Sequence, residues 1–408
     1  MHYLKQLPVQ LIISILLAFG LGSLLDLFYV SLFYSISTVF IQILIFILPF
    51  MVFSFIFRAL ANSQRGSLSL LLLIFAGVTL SSTIALTTSN VLGQLVLPFL
   101  GLTHSPDFIS KFTSQVTPLF AINLPPLVGT EKAMLSGIFL GIAVSFLNER
   151  NAFKIRLQQF SIRFSDSITL FLKRVFIPLL PLYVFGFCLK LSYDQALLHL
   201  FQQFGKVFLF SMTLLISYMF LLYFIGSGAN FARTRQNLKL MTPAGLTAFS
   251  TMSSAATMPV TLTCAYETTK DRDYTDLIIP STTNIHMLGD ALTIMITALT
   301  LLSIFGMPWP GFETFLPFAM AYSLATLSCV GAPGASVLVV LPVLQNHLGF
   351  TPEMISILTT IYILQDSFGT TGNVLGNGAF ALIIQRIRNR IKQTTPAYAL
   401  AESETKLP

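Results

Sequence analysis

Three residues of the C-terminal half could do chemistry: Asp290, Asp366 and His286, each inside a long apolar run. An ionised carboxylate at the centre of a membrane span costs about 2.5 to 3.5 kcal/mol even on lenient insertion scales, so such residues usually have a task. Either aspartate could bind a substrate amine, ligate a cation or carry a proton; the plain alternative is a helix-end residue reaching the interface. His286 stands four residues before Asp290, one turn away on the same face of a continuous helix, which would allow a proton relay through His286, Asp290 and Asp366. A lone histidine is more often a satisfied packing residue. No Lys or Arg occurs from Asp273 to Gln385, nor from Leu240 to Thr269. A second substrate carboxylate would therefore lie beside two acids without a cationic partner, so a zwitterion or an amine-bearing substrate fits better than a dianion.

Four clusters of helix breakers and oxygen-bearing side chains surround these residues: Ser253 to Pro259, Asn284 to Asp290, Gly331 to Ser336, and Asp366 to Asn377. In hydrocarbon an unpaired backbone group costs several kcal/mol, so helices broken at membrane depth occur only inside protein or beside a water-filled cavity. Half-helices meeting tip to tip aim free N–H groups at an anion and free carbonyls at a cation. Ser253, Ser254, Thr257, Ala332, Pro333 and Gly334 are thus candidates for binding substrate, with Asp290 and Asp366. The plain alternative is that the small residues only let helices pack closely.

The elements that must position them are membrane helices. Of 408 residues 54% are hydrophobic and 10% charged, against about a quarter charged in soluble domains, and this excludes an ordinary soluble fold. Apolar stretches long enough to cross a bilayer appear at roughly 9–30, 33–58, 68–98, 134–148, 168–189 and 204–226. Four more, at 240–266, 277–305, 315–346 and 353–385, are interrupted. We expect an all-α polytopic membrane protein with eight transmembrane helices, two re-entrant helical hairpins at 240–266 and 315–346, and broken helices in spans 7 and 8. With both termini cytoplasmic, about 19 of the 23 Lys and Arg residues fall inside, among them Arg58, Arg65, Arg150, Lys154, Arg163, Arg233, Arg386 and Arg388. Lys111, Lys132, Lys190 and Lys206 fall outside; charge alone would also allow ten spans. The net charge of +7 is scattered between apolar runs, which suits a membrane surface and not nucleic acid. Cys188, Cys264 and Cys329 show no disulfide or zinc spacing and read as packing residues. The N-terminal run lacks a cleavage pattern and reads as a first span.

In this order the motifs resemble the dicarboxylate/amino acid:cation symporters, the family of the excitatory and neutral amino-acid transporters and their archaeal aspartate homologue, over nearly the whole chain. Residues 248–261, AFSTMSSAATMPVT, look like the serine-rich tip of the family's first hairpin, Ala332-Pro333-Gly334-Ala335 like the tip of the second, and Asn373-Val374-Leu375-Gly376-Asn377 like the last span. Leu48-Pro49-Phe50-Met51 and Gly141-Ile142-Ala143 are similar to the second and fourth spans. The resemblance implies a homotrimer working as an elevator in the plasma (inner) membrane. The scaffold would be 1–66 and 101–200; the transport domain would be 67–100 and 201–392, followed by a cytoplasmic tail, 393–408. It implies that the substrate carboxylate meets the backbone at Ser253 and Ser254 and the side chain of Asn373, that Asp366 takes the amino group and that Thr370 flanks the substrate. The second hairpin would be the extracellular gate.

The departures narrow the expectation. Gly369 stands where acidic-substrate members carry an Arg, Leu288 replaces a cation-ligating Asp, Asp290 replaces a Thr near substrate, and Asn377 replaces a further ligating Asp. What remains for a cation is an uncharged oxygen cage at Thr282, Asn284, His286, Asn373 and Asn377, so Na⁺ and H⁺ both stand as the coupling ion, with no organic cofactor. The expected function is a cation-coupled symporter of a small neutral amino acid. The alternatives are an acidic amino acid or C4-dicarboxylate:Na⁺ symporter and, in another class, an ion channel. An intramembrane enzyme lacks any accompanying nucleophile or paired-aspartate motif.

Overall fold

The computed structural model describes residues 7–62, 65–101, 116–148, 151–329, 331 and 333–394, and every element among them is helical. The helices are α1 (Leu7–Leu21), α2 (Leu27–Ala61), α3 (Arg65–Val96), α4 (Thr130–Ser145), α5 (Ala152–Phe171), α6 (Ile177–Tyr193), α7 (Ala196–Gly226), α8 (Phe231–Thr251), α9 (Ser254–Thr269), α10 (Arg272–Thr282), α11 (Leu288–Ile304), α12 (Phe312–Thr326), α13 (Ala335–Leu348) and α14 (Pro352–Thr394). A 3₁₀ turn at Leu97–Leu100 extends α3, and a π turn at Leu172–Phe176 joins α5 to α6.

Four helical stretches are long and apolar enough to cross a membrane unaided: Leu27–Arg58, Leu73–Leu100, Ala152–Tyr193 and Phe204–Gly226. The first expected span, 9–30, is in fact two elements. Helix α1 stops at Leu21 and α2 starts after Asp26, whose extended backbone forms the N-cap. Gly20, Gly22 and Ser23 lower helix propensity there, and Gly22 packs against Ser192 of α6. At 15 and 16 residues, α1 and α4 reach only about 23 Å at 1.5 Å per residue, short of a 30 Å core.

Helix α2 packs on α4, α5 and α6, and α1 packs on α6. Gly137 and Gly141 make the α2–α4 approach possible, because a Cβ at either would press on Phe53 O (3.1 Å) or Leu60 Cβ (2.6 Å). In a second group, α14 packs on α7, α8, α9 and α11, while α3 packs on α11 and α12. Helix α11 lies at its centre and is buried on every side except at Ser303, as a helix apolar all round must be. The two groups meet where α6 faces α7 and α13 faces α2.

Three of the four clusters do break the chain. Helices α8 and α9 pack side by side around a turn at Met252–Ser253, and α12 and α13 likewise around 327–334; 283–287 separates α10 from α11. The fourth does not: α14 runs unbroken through Asp366 to Asn377, which corrects the expectation of a broken last span. No proline interrupts it, and Gly369, Gly372 and Gly376 share one face. Along that face they meet Asp290, Gly289 and Leu288 in turn. Here the close-packing reading of small residues is the right one.

Two cations expected at the surface are also buried. Lys154 is fully buried and donates to the carbonyls of Ser145 (3.3 Å) and Leu147 (3.2 Å), capping the end of α4. Lys190 lies within α6, pairs with Asp194 at 3.7 Å and covers the Tyr34 ring. The three cysteines are buried within the helical packing.

Candidate substrate-binding site

Asp366 is buried on α14 and fully engaged. Its Oδ1 accepts from Tyr362 Oη (3.1 Å) and Thr370 Oγ1 (3.0 Å), one turn before and one turn after it, and its Oδ2 accepts from the backbone N–H of Gly334 (2.8 Å). That N–H is available because Gly334 stands before the first turn of α13 with φ +75°, and Gly331 has φ +60°. Both values lie in the left-handed region that glycine enters at no steric cost. The α12–α13 tip therefore docks on Asp366 by its backbone.

The same tip docks on the other hairpin. Ser253 is the N-cap of α9: its Oγ accepts from Ala256 N (3.2 Å) and donates to the carbonyl of Gly331 (2.8 Å), which also accepts from Ala255 N (3.3 Å). Thr257 Oγ1 donates to Ser253 O (2.9 Å) and bonds Thr251 Oγ1 (3.0 Å). Ser254 is buried beside them and Pro333 half-buried, while Ala332 lies outside the described residues. Over four residues the tip thus offers a carbonyl oxygen to the N-terminus of α9 and an N–H to the carboxylate of Asp366.

Behind this pair lies a second carboxylate. Asn373 acts as the N-cap that α11 lacks: its Oδ1 accepts from Gly289 N (2.8 Å) and Asp290 N (3.2 Å), and its Nδ2 donates to Asp290 Oδ2 (2.7 Å). The substrate-carboxylate role implied for Asn373 by resemblance is thus competed for by α11. Asp290 is 1% exposed and its Oδ1 has no hydrogen-bond partner. That oxygen lies against Gly369, where any Cβ would land on it. The hydroxyls of Ser336 and Tyr362 also face Asp290, and the buried Tyr322 hydroxyl, itself without a partner, is within electrostatic reach.

The histidine goes elsewhere. Residues 283–287 are not helical, so the one-turn spacing of His286 and Asp290 on a shared face does not exist. His286 Nδ1 bonds Asn377 Oδ1 (3.0 Å), its Nε2 bonds Ser81 Oγ (3.0 Å), and its ring packs on Phe380. It ties α3 to α14, as a satisfied packing histidine would. The expected cation ligands each have bonds within the protein or face it. The Thr282 carbonyl accepts from Ile285 and His286 N–H, Asn373 serves α11, and His286 holds Asn377. Asn284 Oδ1, buried without a partner, faces Gly331. Of the five, His286 and Asn377 are brought together at 3.0 Å.

A cavity of about 540 Å³ separates the two helix groups; Phe55, Arg58 and Ser165 line one side, and Pro280, Asn284 and Cys329 the other. Its lining includes residues of two of the three breaks, Asn284 and Ile285 in one and Leu327 and Cys329 in the other. Tyr362 was missed in the sequence, although the spacing Tyr362, Asp366, Thr370 on one helix signals it. Tyr322 reaches the site from α12, and nothing local in the sequence marks it, whereas Ser336 belongs to the cluster from Gly331 to Ser336 that the sequence displays.

Residues 7–387 match the family model described as the sodium:dicarboxylate symporter family. The chain belongs to that family. It is also 27% identical over 188 residues, 43% of its length, to a protein of Caenorhabditis elegans named an excitatory amino acid transporter, and the match spans 37% of that relative. The family is one of transporters and not an enzyme class, and a membrane setting suits the apolar helices of this chain. Sodium coupling is general to the sodium:dicarboxylate symporters, as their description says.

Proposed function

We propose that this chain is a secondary active symporter of a small amino acid without an acidic side chain, neutral amino acids being the first candidates. One observation carries the reading: the α12–α13 tip sits in the site as an amino acid would. Its Gly331 carbonyl takes the donors of Ser253 and Ala255, and its Gly334 N–H takes Asp366. An α-carboxylate in place of the carbonyl and an α-ammonium in place of the N–H would make the same bonds, strengthened by charge. The tip would then be the gate, leaving when substrate enters.

In this reading the chain has eight spans and two re-entrant hairpins, with both termini cytoplasmic in the plasma (inner) membrane. Helices α1, α2 and α4–α6 are the scaffold of a homotrimer (1–66 and 101–200). Helices α3 and α7–α14 move as the transport domain (67–100 and 201–392), a reading that the roughly 540 Å³ cavity between the two groups supports. The coupling ion is Na⁺ or H⁺. A dicarboxylate is disfavoured because Gly369 and Asp290 offer its second carboxylate no cation.

The test is uptake of radiolabelled alanine, serine and aspartate into proteoliposomes under imposed Na⁺ or H⁺ gradients. Accumulation of alanine or serine driven by one gradient, and lost in Asp366→Asn, is the expected result. Uptake of aspartate alone, or currents without saturable uptake, would overturn it.

A further inference from the structure

The carboxylate of Asp290 has no task in holding an α-amino acid. Its Oδ2 is spent on Asn373, yet Oδ1 is buried, without a partner, beside a second buried hydroxyl without one at Tyr322. The groups facing it are Ser336 of α13, Tyr322 of α12, and Asn373, Tyr362, Gly369 and the Asp366 carboxylate of α14; none is a cation. No Lys or Arg occurs between residues 273 and 385 to supply one. Two carboxylates thus share a dry site, and the α-ammonium of an amino acid would neutralise only that of Asp366. Buried charges are tolerated when paired, and a cationic group on the cargo would pair the second.

We propose that Asp290 is a specificity-determining residue that receives a cationic group at the end of the substrate's side chain, making the substrate a basic amino acid. This rests on the α-amino-acid reading above and, among the substrates without an acidic side chain that it allows, puts those with a cationic side chain ahead of the neutral ones. Oδ1 lies directly against the backbone of Gly369, so the cation reaches it from the side of α12 and α13, where Tyr322 and Ser336 stand. An ammonium or guanidinium arriving there completes the hydrogen bonds of Oδ1 and finds the hydroxyls of Ser336, Tyr362 and Tyr322 around it.

Lysine and norleucine, which have nearly the same shape and differ by the terminal ammonium, separate the possibilities. Binding is read from the thermal stability of the purified full-length protein titrated with each, with and without Na⁺. The wild type should bind lysine at least about tenfold more tightly than norleucine, as a charge-assisted hydrogen bond in a dry site requires. In Asp290→Asn, checked for folding by size-exclusion chromatography, that ratio should collapse towards one. Norleucine binding as tightly as lysine to the wild type would overturn the proposal without needing any variant, and so would a lysine preference that survives in Asp290→Asn. A stabilisation by Na⁺ or K⁺ alone that disappears in Asp290→Asn would make Asp290 a metal-ion ligand and overturn it too. If no amino acid stabilises the protein, the α-amino-acid reading itself fails, a different result from norleucine binding without a lysine preference.

Discussion

Gly369 and Asp290 share one volume, and a double-mutant cycle measures that. A methyl group at position 369 would land on Asp290 Oδ1. The carboxylate is planar, so Oδ1 cannot withdraw without turning Oδ2 away from Asn373 Nδ2, 2.7 Å distant. Overpacking of this kind costs about 1–3 kcal/mol, partly offset by the gain of about 1 kcal/mol when alanine replaces glycine inside a helix. Gly369→Ala should therefore be neutral to destabilising by about 2 kcal/mol in the wild type. In an Asp290→Ala background the obstruction is gone and the same change should stabilise by about 1 kcal/mol. The coupling is then about 1–3 kcal/mol, and the cost of orphaning Asn373 Nδ2 cancels because it appears on both sides of the cycle. The single tryptophan, Trp309, donates its indole N–H to Leu299 O of α11 at 3.0 Å, so its fluorescence in denaturant titrations follows the helix that carries Asp290. Equal effects of Gly369→Ala in the two backgrounds, within about 0.5 kcal/mol, would refute the shared volume.

Other changes probe the supports of the site. Gly289→Ala would place a Cβ 2.9 Å from Gly372 Cα and 3.0 Å from Asn373 N, backbone atoms that cannot yield. It should cost about 3 kcal/mol, seen as loss of the monodisperse peak in size-exclusion chromatography, and an unchanged peak would contradict the packing. Asn373→Ala orphans two N–H groups of α11 and one oxygen of Asp290, so Trp309 unfolding should report a loss of about 1–3 kcal/mol; a loss below about 0.5 kcal/mol would mean that another group caps the helix. Lys154→Met keeps the apolar stem and removes the donor to Ser145 and Leu147; a drop of about 1–2 kcal/mol in thermal unfolding is expected, and a rise would show that the buried charge is a burden.

The sequence displayed the helical class, the three real breaks and the importance of Asp290 and Asp366, because each rests on a local signal: hydropathy, breaker residues, and an acid inside an apolar run. It misplaced what depends on partners distant along the chain. The glycines of 366–377 look like a break when read alone, and only the approach of Leu288, Gly289 and Asp290 to that face shows that they serve packing. Helical periodicity put His286 over Asp290, but periodicity ends where the helix ends, and the five residues of the break send the imidazole to Ser81 and Asn377. Lys154 is hidden for another reason: its acceptors Ser145 and Leu147 lie only nine and seven residues away, but no sequence signal shows the end of α4 folding over it.

These partners bear on specificity. At position 369, where the family resemblance leads one to expect an Arg in acidic-substrate members, a side chain and the present Asp290 compete for the same space. Exchanging Gly369 for Arg alone would therefore crowd Oδ1 while forming a buried ion pair with Asp290, using the new cation internally and leaving none for a substrate carboxylate. Only the joint change Gly369→Arg with Asp290→Thr frees both the volume and the charge. The joint variant should gain aspartate binding and lose any preference for lysine over norleucine, whereas Gly369→Arg alone should gain neither ligand. If Gly369→Arg alone binds aspartate, the two positions are independent, and specificity here is set by one residue instead of by a packed pair.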